Sequence, residues 1–555
     1  MVNLRTFVGA VVCFAAMASG AAAQTTVDAL KLVPASADAF AVVPKIADLD
    51  KKIGAVATKM GMPGIGVLDL AKKMLGIEEG IDKNGSAVAM VFFPVAEPAA
   101  VVLAIPVTNF EAVAKGLNAK DPEDGIHEFD AVGKEMVLAK KGKFALAAPA
   151  DCREHLVKVL KEEVGNTNRV KSLERWLGTQ DVALVALDNA VKEFAKKGFE
   201  TIPEDLPGLP EDQAMAVKAQ LEMVRNFLKR GSEELTHAAI GLGIDSEANA
   251  KLSINVGFTK GGSFSKWGQT LPKENPLMGL PSGGYIFAGG YAMSPETMQK
   301  MMTFAASSSK GAYNLSEEDA KELEKVWAGS AKGVRGMAFG FTPPPEGTGM
   351  FEGMVGVFRV DSSKEYLKLW RDAAEKGNKI LQIESQVKPV KVGKFEAFEA
   401  VTDVKSLLKN NPDPMAEEMV KKFLGGAEKV TVTAVAVNAN TIIFGYVPTA
   451  KMKLIAESYA KLPMLAAAAP VAKTMKQFPA NPFMITLVNP KGVVELVEKM
   501  AKEFGKELPI SAMGNTSPIG MAAASDATSF QFVLVVPGDV FAEAGKIIQK
   551  HAPGQ

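Results

Sequence analysis

Cysteine is nearly absent from this chain of 555 residues, which holds only Cys13 and Cys152. Cys13 falls in a leader-like segment, so the rest of the chain has one thiol and no internal disulfide. Stability therefore rests on packed cores. Histidine is scarce, with four residues, and aromatic side chains make up 7%. Sites that need several imidazoles are thus poorly supplied. Net charge is missing as well, since 63 basic residues balance 63 acidic ones. No global field draws the chain to nucleic acid or to an anionic membrane. Beyond the leader no apolar run approaches the roughly 20 residues of a membrane span. The sequence has no G-x-S-x-G elbow, no Walker loop and no dinucleotide fingerprint. Gly241 and Gly243 lack both a third glycine and a following helix.

What is present begins with an export signal. Arg5 supplies a short positive region, Phe7 to Ala18 an apolar core, and Ala21 and Ala23 a small-residue cleavage pattern before Gln24. This pattern predicts a leader over residues 1–23 and a mature protein that is periplasmic or extracellular.

The rest of the chain repeats itself. Ala87 to Phe93 and Ala99 to Ile105 are short apolar runs separated by Pro94, Glu97 and Pro98, which predicts two paired strands. Thr108 and Glu111 then form a capping box that opens a helix. The same order returns where Gly336 to Phe341 and Met350 to Phe358 flank TPPPEGTG, with Ser362 and Glu365 as the second capping box. Further blocks follow in matching order. Val33-Pro34 corresponds to Leu280-Pro281, and Glu135 to Ala148 to Thr431 to Val447. The strand Val182 to Leu187 corresponds to Phe483 to Val488, and the closing meander Ala238 to Phe258 to Gly520 to Val536. The expected fold is therefore α+β: two homologous halves, each a mainly antiparallel sheet built from hairpins with helices packed on one face. The expected division is residues 24–258, a glycine- and proline-rich linker over 259–276, and residues 277–555. The continuous apolar runs call for cover on the second sheet face as well, which a cleft-forming partner half could supply. Two segments break the symmetry. One is a helix after Ile202 with Val217, Leu221, Val224 and Leu228 on one face, expected to pack on its own half. The other is a helical insertion around NNPDP between Thr402 and Lys429.

Candidate chemistry is sparse. Cys152 and His155 stand three apart on a predicted helix, but two ligands fall short of a zinc site and no acidic orienter accompanies them. An ordinary helix with a partly buried thiol accounts for the pair. The acidic loop Asp121 to Gly125 departs from a calcium loop through Pro122 and the missing final glutamate, which leaves a solvated turn. Met293, Met298, Met301 and Met302 lie close to helical spacing. Core packing is the default for such a stripe, copper(I) lacks a supporting histidine, and an apolar ligand groove is the more specific alternative. No catalytic, cofactor or metal residue is assigned.

With LVPASADAFAVV, AVVLAIPVTNFEAVAKGL and LPSGGYIFAGG in view, the chain resembles a family of exported, internally duplicated planctomycete proteins of unknown function. The resemblance implies an exported bacterial protein and carries over no functional residue. The expected function is a noncatalytic binding or structural protein of the cell envelope, with an envelope protein or an apolar small molecule as its partner. A periplasmic carrier of an apolar ligand is the first alternative. A hydrolase whose residues converge only in space is the second.

Overall fold

The computed structural model describes residues 27–62, 77, 79–93, 100–131, 133–162, 171, 173–202, 211–277, 279–312, 315–344, 348–408, 424–459, 461–503 and 513–551. The segment expected as a leader, the expected tip of the first hairpin and the expected NNPDP turn lie outside these residues. In chain order the first part gives β1 (Ala39–Val43), α1 (Ile46–Lys59), β2 (Ala87–Phe92), β3 (Ala100–Pro106) and α2 (Phe110–Gly116). It continues with β4 (Ile126–Ala131), β5 (Lys134–Lys141), β6 (Phe144–Pro149), α3 (Arg153–Lys161), α4 (Glu174–Leu177) and β7 (Val182–Leu187). Next come α5 (Asp188–Thr201), α6 (Glu211–Glu234), β8 (Leu235–Ile244) and β9 (Ala250–Phe258).

The second part runs α7 (Ser263–Thr270), β10 (Phe287–Ala292), α8 (Pro295–Ala312), α9 (Glu317–Ser330), β11 (Val334–Phe341) and β12 (Met354–Val360). It goes on with α10 (Ser363–Ile380), β13 (Ser385–Val392), β14 (Phe395–Asp403), α11 (Val404–Leu408), β15 (Lys429–Asn438) and β16 (Thr441–Gly445). The chain ends with α12 (Thr449–Tyr459), α13 (Ala469–Met475), β17 (Met484–Val488), α14 (Pro490–Glu503), β18 (Ile519–Ser525), β19 (Ser529–Val536) and α15 (Gly538–His551).

Two compact units result. One holds the described residues of Met1–Lys197, Gly231–Thr259 and Leu534–Gln555, the other those of Gly198–Arg230 and Lys260–Val533. They do not coincide with 24–258 and 277–555, because 198–230 joins the second unit and 534–555 the first. The stretch expected as a linker contains α7.

Both units are antiparallel, as the hairpin pattern requires. The first has strand order β4-β5-β6-β3-β2-β1-β7-β8-β9. The second has β14-β15-β16-β12-β11-β10-β17-β18, extended at one end by β13. With β13 and β9 set aside, the remaining eight strands of the two orders fall in matching positions.

Helices cover both sheet faces, not one. Every residue of β1 and β2 is buried, which a one-sided sheet could not achieve. Phe40, Val42, Val88 and Met90 face Leu30, Val33, Leu156 and Leu177. Ala41, Val43 and Ala89 face Ile46 and Leu49 of α1, and Phe110 and Val113 of α2 cover Leu138 and Ala147 on the same side. The second unit repeats this. Ala338, Val357, Val435 and Ile443 meet Met452 of α12 and Val471 of α13, while Ile442 and Phe444 on the other face meet Met298 of α8 and Tyr366 of α10. A further layer joins α8, α9 and α10 through Ala306, Leu323 and Leu381.

Local chemistry explains most boundaries and corrects some. Ser316 and Ser362 cap α9 and α10 by accepting the amides of Asp319 and Glu365. Ser294 accepts the Thr297 amide at 3.2 Å, just ahead of Pro295. At α2 the cap is Asn109, whose Oδ1 accepts the Ala112 amide at 3.2 Å, and not Thr108. The run expected as a strand from Met350 opens with a 3-10 turn, Met350–Gly353, so β12 starts at Met354. On α6, Leu221 and Leu228 are partly buried but Val224 is exposed, so the expected apolar face is not buried as one stripe. The side chain of Val217 lies outside the described residues.

Candidate functional site

The methionines belong to the face of the second unit that carries α8 and α10. Met298 is 5% exposed and packs with Val334, Val360, Tyr366, Leu367 and Phe444. Met293, Met302 and Met337 are partly buried against the same cluster. Met301 is 43% exposed, so the four expected site residues divide into three that meet the sheet and one that meets solvent.

Sequence reading missed what surrounds them. Phe358 and Phe444 stack with centroids 5.0 Å apart. Trp370 stands edge-on to Phe358 and Phe398 at 5.1 Å and to Phe444 at 5.5 Å. Such edge and offset contacts are favourable for ring quadrupoles. The rings come from β12, β14, β16 and α10, so no local spacing announced the cluster. Gly356 lies under the Phe444 ring, where a side chain would collide with it. The Tyr291 hydroxyl reaches the Met337 sulfur at 4.0 Å, a weak contact. Burial pushes the phenols of Tyr366 and Tyr291 upward, so both stay neutral near pH 7. The layer can hold apolar groups and has no group poised for proton transfer among these residues.

The other candidates fall into separate settings. Cys152 is buried and free, and it precedes α3 as its cap residue. Burial and Asp151, whose Oδ1 lies 3.4 Å from Sγ, push the thiol pKa up, the opposite of what an activated nucleophile needs. His155 stacks on Phe92 at 4.6 Å and keeps a buried Nδ1 without a hydrogen-bond partner. His127 pairs its Nδ1 with the Lys120 carbonyl at 2.9 Å. His237 is buried with Nε2 2.8 Å from Asn255 Oδ1, and burial lowers its pKa. The acidic loop around Asp124 and Gly125, both in the left-handed region, turns the chain into β4. Among the described residues no group of three or more His, Cys, Asp or Glu side chains could hold a metal ion.

One polar cluster had no signal in the sequence. Asp181 binds Lys52 of α1 at 2.6 Å and accepts the Ile244 amide at 2.6 Å, which ties α1 to the ends of β7 and β8. Lys251 is depressed by burial, opposed by Asp181 and Asp245. Asp245 in turn holds the β8–β9 turn through the Asn249 amide at 3.0 Å and side chain at 2.7 Å. These groups are used to fasten elements together.

Comparison with known proteins adds no relative: no protein family, no curated protein and no solved structure matches the chain.

Proposed function

We propose that this chain is an exported, noncatalytic binding or structural protein of a bacterial cell envelope, built on a duplicated α+β scaffold. The observation that carries this reading is the matching strand order of the two units, each with helices on both faces. Repetition of a whole scaffold suits a protein that presents surfaces. The leader pattern over residues 1–23 and the resemblance to exported planctomycete proteins support the location. No described helix is long and apolar enough to cross a membrane. Expressing the chain with its own N-terminus in a Gram-negative host tests the reading. Edman sequencing of the periplasmic protein should begin at Gln24, and recovery only of uncleaved cytosolic chain would refute export.

A second reading, a carrier of an apolar ligand, draws on the methionine and aromatic layer around Met298. Thioether and aromatic surfaces adapt to apolar partners. Organic extraction of detergent-free protein followed by mass spectrometry decides it: a stoichiometric apolar molecule, lost on Met298→Asp substitution, supports the carrier. An empty extract from folded protein removes it.

A further inference from the structure

Helix α15, at the end of the chain, belongs to the first unit, and α7, which follows the last strand of the first part, belongs to the second; the two helices are seated in the same way. Helix α15 follows β19 through Pro537 and belongs to the first unit. Its first residue, Gly538, donates its amide to Asn249 Oδ1 at 2.8 Å. Asn249 stands in the β8–β9 turn that Asp245 organises. A Cβ on Gly538 would run into the Glu247 carbonyl and the Lys59 ammonium, which are bonded to each other. Two turns further, Gly545 lies on the end of α1, where a Cβ would come within 2.7 Å of the Met60 backbone. Backbone-to-backbone approach of this kind requires glycine.

The mirror arrangement holds in the second unit. Helix α7 follows β9, the strand that corresponds to β19, and belongs to the second unit. Its Gly268 lies against the Asp526 carbonyl, in the turn between β18 and β19. Asp526 organises that turn by accepting the Thr528 and Ser529 amides at 2.7 and 2.8 Å, as Asp245 organises the β8–β9 turn. Trp267, the residue before it, stands edge-on to Phe483 at 5.7 Å. In both units a helix that follows the last strand of one half seats a glycine on the aspartate-held hairpin turn of the other.

We infer that α15 and α7 are straps: each unit is closed by the helix that follows the last strand of the other half. The first unit closes only when residues 538–551 are present. Helix α1 and the β8–β9 turn are held by the far end of the chain, and their local opening is governed by it.

Hydrogen exchange on the full-length protein tests this. Gly545→Val inserts a side chain at the α1 contact without shortening the chain, and deletion of residues 538–555 removes the strap altogether. Such strapping predicts at least tenfold faster amide exchange in residues 46–59 and 245–249 in Gly545→Val, with residues 429–445 of the second unit unchanged. The deletion should reproduce that pattern wherever the protein folds, and the full-length variant decides if it does not. Faster exchange confined to residues 538–551, with α1 and the turn as protected as before, would overturn the inference. So would equal loss across both units.

Discussion

Two methionines three residues apart on α8 have opposite fates. Met298 fills space among Val334, Tyr366 and Phe444, whereas Met301 is exposed. Truncating the first leaves a cavity, so Met298→Ala should cost about 2–4 kcal/mol in denaturant unfolding, while Met301→Ala should stay within about 0.5 kcal/mol. Equal effects would contradict the placement of the two side chains. Spacing alone could propose the stripe but could not separate its members, because residues three and four apart share a broad face and the tertiary partner chooses among them. His237 makes a prediction of another kind. Its folded-state pKa lies below the ordinary 6.5, so the unfolded chain binds the proton more readily. Its contribution is complete above about pH 6.5 and is lost as pH falls below that value. His237→Gln should flatten the stability profile between pH 6.5 and 5, measured by urea midpoints. An unchanged slope would show that His237 is not the group that titrates there.

At the scale of elements, the paired strands β2 and β3 and the closing meanders were legible because apolar runs and breakers are local signals. Strands β4, β13 and β14 were not. Their sequences mix charged and apolar residues, as in SQVKPVKV, and their strand state is set by pairing with neighbours. The helix start at α2 turned on geometry, since Thr108 and Asn109 both satisfy the composition of a cap. Asn109→Ala should therefore cost about 1 kcal/mol and Thr108→Ala much less, by thermal unfolding of the two variants. Strand β13 is paired in the structure with β14 and carries Lys388, Pro389 and Lys391. Proline and lysine blunt an edge against added strands. Pro389→Val should raise self-association, seen as larger particles by light scattering at equal concentration. Unchanged particle size would mean that this edge is guarded by something else.

For the whole molecule, the two units are both antiparallel and share a strand order over eight positions. What stayed hidden was how the chain allots its segments. The residues that mark the crossovers are glycines such as Gly268, Gly538 and Gly545, ordinary in sequence and informative only once the backbone they meet is known. The need for cover on the second sheet face was legible in the apolar runs, but its source was hidden, because α1, α2, α8 and α10 read as amphipathic helices whichever face they choose. Two units of like strand order, each with a buried apolar layer, are the basis for reading the protein as one that binds or builds. Native mass spectrometry of the chain recovered from the envelope of cells that express it tests that reading most directly. The account predicts a chain lacking residues 1–23 in complex with an envelope component. A full-length chain found alone in the cytosolic fraction would contradict it.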